Sequence, residues 1–151
     1  MRTVIHRVRQ ASVSVPAENY EAGISSGLLV LAAFEDGDCL QDIEWMARKI
    51  CALRIFDDGD GVMNISVKDT GGDILAVSQF TLYASTARGN RPSYIRAARP
   101  EVSAPLYESF CTVLGENLGK PVCKGIFGAD MKVSLLNDGP VTIIIDSKLK
   151  E

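Results

Sequence analysis

Three short stretches of this chain carry residue types able to do chemistry. In Ser78-Gln79-Phe80-Thr81-Leu82, two hydroxyls and a carboxamide close an otherwise apolar run. Such groups can hold a substrate or stabilise a developing oxyanion, but an unassisted threonine hydroxyl is a poor attacker at neutral pH. Polar residues at the end of an apolar strand fit a site at a sheet rim; they also fit exposed surface, the commoner fate of such residues. In Asn137-Asp138-Gly139-Pro140, four residues that prefer turns stand directly before the strand-like run Val141 to Ile145, where they should interrupt a ladder. The third stretch holds Arg88, Arg91, Arg96 and Arg99, with no acid between Asp73 and Glu101. That is a footprint suited to phosphate, or a solvated loop balanced by acids folded nearby.

Other chemistries lack their residues. His6 is the only histidine, so a Ser-His-Asp or Cys-His triad would have to pass through it, and no GxSxG elbow or HExxH accompanies it. It reads as a half-buried strand histidine. No CxxC or HxE pairing offers a metal site, and neither GxxxxGK[ST] nor GxGxxG offers a phosphate cradle. Cys39, Cys51, Cys111 and Cys123 lie in apolar periodic segments and read as core thiols. An enzyme built from this inventory must work with main-chain amides, hydroxyls, a carboxamide and a group on its substrate.

The elements that must position these residues fit one domain. A chain of 151 residues, 46% apolar and 23% charged, has ordinary globular composition and enough length for a real core. The net charge of −3 argues against general nucleic-acid affinity. The start alternates apolar with polar residues, unlike a signal peptide, and no run is long enough to span a bilayer, which predicts a cytoplasmic protein.

Met1 to Val8 reads as a strand and Ala11 to Val15 as its hairpin partner, with Gly27 to Phe34 a central strand buried on both faces. Apolar residues at steps of three and four from Leu40, with Asp38 as N-cap, predict a helix. Ile65 to Val67 reads as a short strand and Ile74 to Leu82 as a long one. A second helix is expected from Ser103, with Pro105 in its first turn, to Gly119. Strands Val122 to Ile126, Met131 to Leu136 and Val141 to Ile145 complete an α+β fold: a mostly antiparallel or mixed sheet with two main helices. One helix layer covers one sheet face, so an apolar second face predicts a homodimer.

With these residues in view, the chain resembles the D-aminoacyl-tRNA deacylases. Ser78 to Leu82 and Asn137 to Thr142, in that order, are similar to the family's two signature motifs. "RVRQASVSV", "GLLVL", "RIF", "GVMN", "RGNRPSY" and "FGADMKVSL" extend the likeness over nearly the full chain. The loop "VPAENYEAGISSG" and the stretch "AAFEDGD" depart from the commoner pattern, away from the motifs.

The resemblance implies a homodimeric hydrolase without metal or organic cofactor, cleaving D-aminoacyl-tRNA and glycyl-tRNA and rejecting the L-form. It implies that Ser78, Gln79, Phe80 and Thr81 line the catalytic site. It also implies that Gly139 and Pro140, joined by a cis bond, reach into the partner's site, that Arg7 braces them, and that Phe127 and Met131 line the adenosine pocket. Gln79 and main-chain amides would face the scissile carbonyl, with water as the attacking group, helped by the ribose 2′-hydroxyl. Two other readings stay open: a non-catalytic tRNA-binding module using Arg88 to Arg99, and a deacylase of shifted chirality, against which the first motif speaks.

Overall fold

The computed structural model describes residues 1–150. In chain order the elements are β1 (Arg2–Val15), β2 (Tyr20–Ile24), β3 (Gly27–Ala33), α1 (Leu40–Ala52), β4 (Arg54–Asp57), β5 (Met63–Ser66), α2 (Val67–Thr70), β6 (Asp73–Ser78), α3 (Pro100–Leu118), β7 (Cys123–Lys124) and β8 (Lys132–Asp146). The main sheet runs β2-β1-β3-β6-β7, with β8 along the other edge of β1; β4 and β5 form a separate hairpin. β3, β6 and β7 are mutually parallel and the other pairs antiparallel, so the expected mixed α+β sheet is present.

The two faces of the sheet are filled differently. Leu28, Val30 and Ala32 of β3 and Ile74 and Ala76 of β6 pack with Ile43, Met46 and Ile50 of α1 and Tyr107, Phe110 and Leu114 of α3. The alternate residues, Leu29, Leu75 and Val77, pack with Val8, Ala11, Val13 and Ile24. A strand buried on both faces reads as a continuous apolar run, which is why Gly27 to Phe34 shows no polar alternation. Gly27 itself is required by close approach, since a Cβ there would lie 1.9 Å from the Asp73 carbonyl oxygen.

The expected N-terminal hairpin does not form. β1 is one continuous strand, and it pairs β2 by way of a single helical turn at Pro16–Glu18. What looks like a strand break is a pair of irregularities between His6 and Gln10, where the pairing with β8 shifts. Thr3 and Ile5 are buried before them, Ala11 and Val13 after, while Arg9 and Gln10 are exposed. Bulges bend a strand, and this one carries the second half of β1 across the far sheet face. That face is therefore covered by the chain itself, and the argument for a dimer from a bare face does not hold.

Smaller differences have local causes. The two expected C-terminal strands are one strand, β8, interrupted but not ended by the turn residues. α1 is capped by Cys39, whose N–H donates to Asp42 Oδ2 at 3.0 Å, because Asp38 is taken by the Met1 ammonium at 2.5 Å. α3 is capped at Arg99, four residues before the expected cap Ser103, with Pro100 in its first turn, where a missing N–H costs nothing. Val67 opens α2 instead of closing a strand, and β7 is shorter than expected. Cys51 and Cys111 are buried, and burial pushes both thiols up to about 11. Cys39 is exposed and Cys123 half-buried, so neither is the core thiol expected.

Candidate active site

β6 ends at Ser78, four residues sooner than its apolar pattern predicts. The Gln79 N–H still donates to the Ala32 carbonyl at 2.8 Å, and the chain then winds into a helical turn over Phe80–Tyr83. Side chains beyond Ser78 therefore do not alternate as on a strand. The turn folds Thr81 back under Gln79, whose Nε2 donates to Thr81 Oγ1. This tie orients the carboxamide and occupies the hydroxyl.

The rim of β6 opens onto a pocket of about 560 Å³. Val77 to Phe80 form one wall and Phe34 part of the floor; Tyr94 and Ala97 to Pro100, leading into α3, form the second wall. The third is Phe127 to Met131, between β7 and β8. Five of the nine residues singled out in the sequence thus meet here: Ser78, Gln79, Phe80, Phe127 and Met131. The lining is mostly apolar with a few polar groups, as small-molecule sites usually are. Arg99, read from the sequence only as part of a basic stretch suited to phosphate, joins it, and so do Phe34 and Tyr94, to which the sequence assigns no role at the site.

Thr81, held by Gln79, does not itself line this pocket, and neither do Arg7, Gly139 and Pro140. The last three belong to a second construction on the ladder of β1 and β8. His6 pairs with Thr142 and Val8 with Asn137, so Arg7 alone faces the four residues Asp138 to Val141. The turn residues are ejected from the ladder as a loop, which is what their types favour. Asn137 closes its base: its Oδ1 accepts from the Val141 N–H at 3.0 Å, and its Nδ2 donates to Thr142 Oγ1 at 3.2 Å. Arg7, buried, donates from Nε to the Asp138 carbonyl at 2.8 Å and from Nη1 to the Ile55 carbonyl at 2.6 Å.

At the tip, the Gly139–Pro140 bond is cis and Gly139 has φ +131°. A Cβ on Gly139 would meet Val141 Cγ2 at 2.9 Å and Arg7 Nη2 at 3.0 Å. Both loop-tip residues are exposed. Within one chain the structure thus builds a pocket without a Gly-Pro loop, and a braced Gly-Pro loop outside the pocket.

His6 stands beside this loop, its Nδ1 3.0 Å from Thr142 Oγ1 and 3.3 Å from Asn137 Nδ2. Burial lowers its pKa, which favours the neutral imidazole. An amide nitrogen only donates, so Nδ1 is the acceptor and Nε2 carries the proton.

A mixed sheet with a polar strand rim, and with a braced loop on its long edge strand, defines a class that comparisons with known proteins identify. The family described as D-Tyr-tRNA(Tyr) deacylase matches residues 4–146, and the chain belongs to it. It is 59% identical to a D-aminoacyl-tRNA deacylase of Parabacteroides distasonis and 60% to one of Flavobacterium psychrophilum, each over 100% of both chains. A solved structure described as c-Myc DNA Unwinding Element Binding Protein is 38% identical, with TM-score 0.89 over 97% of this chain and 98% of that one. A probable eukaryotic D-amino acid tRNA deacylase, 19% identical with TM-score 0.82 over 95% of this chain and 97% of that one, shares the fold.

Proposed function

We propose that this chain removes D-amino acids, and glycine, from tRNA by hydrolysing the ester to the terminal adenosine, with the pocket at the rim of β6 as its site. It is a D-aminoacyl-tRNA deacylase, an ester hydrolase of translation quality control. The full-length identity with proteins of that name carries the activity. The glycyl substrate, the site roles, the dimer and the cytoplasmic setting are our extension of it.

In the reaction, water adds to the acyl carbon, the ester C–O bond breaks, the amino acid leaves as its carboxylate and the ribose oxygen regains a proton. Gln79 Nε2 and the main-chain amides at the strand end face the carbonyl oxygen as negative charge develops there. Thr81, tied to Gln79, orients that amide and is not the nucleophile. The ribose 2′-hydroxyl next to the ester helps the water attack. The terminal adenosine rests between Phe127 and Met131.

Two copies make the complete site. β8 is a fifteen-residue edge strand, paired on one side only among the described residues. It exposes Leu135, Leu136 and Ile144. A long edge of this kind calls for a cover. Packing two copies along it presents the Gly139–Pro140 loop of one to the pocket of the other. Main-chain carbonyls there accept the substrate ammonium and fill the space an L side chain would need, while a D side chain points outward and glycine has none. Rejection then works by exclusion.

The 38% identical relative described as DNA-binding favours one other reading, a nucleic-acid-binding module without catalysis. Release of amino acid from matched D-, L- and glycyl-tRNA separates the two. Hydrolysis of the D- and glycyl- forms alone is expected; salt-sensitive retention without ester cleavage would overturn the proposal.

A further inference from the structure

The wall of the pocket leading into α3 continues outward past the pocket mouth as an exposed surface. Phe80 and Tyr94 meet edge to face at its mouth, ring centroids 5.1 Å apart. They remain 57% and 38% exposed, and Ile95 beside them is 90% exposed. Two large rings left partly in water at the lip of a site form a platform on which no other ring or cationic side chain of the described residues stacks.

Behind the platform stands a loop with a defined base. Ser85 and Ser93 exchange both main-chain hydrogen bonds, at 2.8 and 2.9 Å. Thr86 to Arg91 between them are all exposed, and Gly89 turns the tip at φ +71°. The arginines of this segment are used unequally. Arg96 is committed inward, its guanidinium carbon 5.3 Å from the Tyr83 ring centroid and its Nη2 3.4 Å from Glu35 Oε2. Among the described residues, Arg88, Arg91 and Arg99 form no ion pair. With no acid between Asp73 and Glu101, this corner of an acidic protein keeps free positive charge next to free aromatic surface.

That pairing suits single-stranded nucleic acid: aromatic rings accept bases whatever their identity, and arginines follow the phosphates. We infer that Tyr94, with Phe80 edge-on behind it, stacks a base of the unpaired nucleotides preceding the terminal adenosine, while Arg88 and Arg91 hold their phosphates. The inference rests on the deacylase reading, which puts the terminal adenosine in the adjoining pocket. Such a contact adds affinity for the tRNA end without reading base identity, since stacking and phosphate contacts are sequence-tolerant.

The test compares D-tyrosyl-tRNA with D-tyrosyl-adenosine, which carries the same ester but no preceding nucleotide. Because Tyr94 also lines the pocket, Tyr94→Ala should raise KM for both substrates, but about tenfold more for the tRNA than for the adenosine ester, whereas Tyr94→Phe should stay within about twofold of the parent on both. Arg88→Ala with Arg91→Ala should leave hydrolysis of the adenosine ester unchanged. It should raise KM for the tRNA and lower the slope of log KM against log salt by about 1.4, some 0.7 for each phosphate no longer held. Equal losses on both substrates for Tyr94→Ala, or an unchanged salt slope for the arginine pair, would overturn the inference. If the parent protein cleaved neither substrate, the deacylase reading itself would fail.

Discussion

The guanidinium of Arg7 and the carbonyl of Asp138 meet through an Nε–H donor 2.8 Å from the oxygen. The same side chain reaches the Ile55 carbonyl at 2.6 Å and Asp57 Oδ1 at 3.3 Å. One buried cation thus joins the β4 hairpin to the loop that leaves the ladder opposite it. A fork can serve two carbonyls in fixed directions; an ammonium cannot hold both in that geometry. Arg7→Lys is expected to lower both Tm and deacylation, and Arg7→Ala to destabilise by about 2–4 kcal/mol because carbonyls lose a charged donor. Denaturant unfolding and D-tyrosyl-tRNA hydrolysis read the two effects. A lysine variant with unchanged rate would show that the loop does not depend on the fork.

Thr81 is the hydroxyl nearest to being a nucleophile by type, yet its oxygen accepts a hydrogen bond from Gln79. Thr81→Ala should keep activity within about tenfold of the parent, the scale of removing one orienting hydrogen bond. A substrate ending in 2′-deoxyadenosine should lose most of it. A threonyl ester trapped on the enzyme and seen by mass spectrometry would reverse the assignment.

How far the residues announced this arrangement depends on what fixed each part. The apolar runs of β3 and β6 and the three-and-four spacing of α1 were readable because they carry their own periodicity. β1 reads as a hairpin because its irregularities near Val8 and Gln10 mimic a break, and only pairing with β8 distinguishes a bent strand from two strands. The polar end of β6 was legible as a possible rim. Its turn at Phe80 was not, since Phe-Thr-Leu-Tyr suits a strand and tertiary context overrides that propensity. Tyr94 and Arg99 reach the pocket through a long irregular segment, for which local sequence gives no direction.

His6 tests the loop from its other side. Its folded pKa lies below the usual 6.5, so the unfolded chain takes up a proton that the folded chain resists. The stability this neutral histidine permits is fully present above pH 6.5 and declines as pH falls toward the folded pKa. Between pH 7.5 and 5.0 the parent should therefore lose more Tm than His6→Gln. Parallel curves for the two proteins would mean that His6 is not the group involved.

Cross-subunit completion makes a sharper claim, because two broken copies should repair each other. Gly139→Val spoils the loop, where a Cβ would already crowd Val141 at 2.9 Å, and leaves the pocket residues in place. Gln79→Ala spoils the pocket and leaves the loop. In a two-fold dimer of one of each, one site has both parts intact. Refolding an equal mixture should restore about a quarter of parental activity, from half the dimers with one good site each. No gain over the separate variants would show that each chain supplies its own loop.

Handedness gives the last prediction, since exclusion and attraction differ in which residues control it. If main-chain atoms of the partner's Gly139–Pro140 loop occupy the space an L side chain needs, shrinking a pocket side chain cannot admit the L-substrate. Gln79→Ala should strongly slow D-tyrosyl-tRNA hydrolysis and Thr81→Ala should slow it no more than about tenfold, and neither should release L-tyrosine at a measurable rate. Glycyl-tRNA should stay a substrate of both, because it presents no side chain to exclude. Asn137→Ala removes the hydrogen bond to the Val141 N–H that closes the loop base. Relaxing that base moves the excluding atoms while leaving the pocket untouched, so L-hydrolysis should become detectable there first as D-hydrolysis falls. Matched L-, D- and glycyl-tRNA assays on the three variants decide it: L-activity in a Gln79 or Thr81 variant with the loop intact would place control of chirality in side chains.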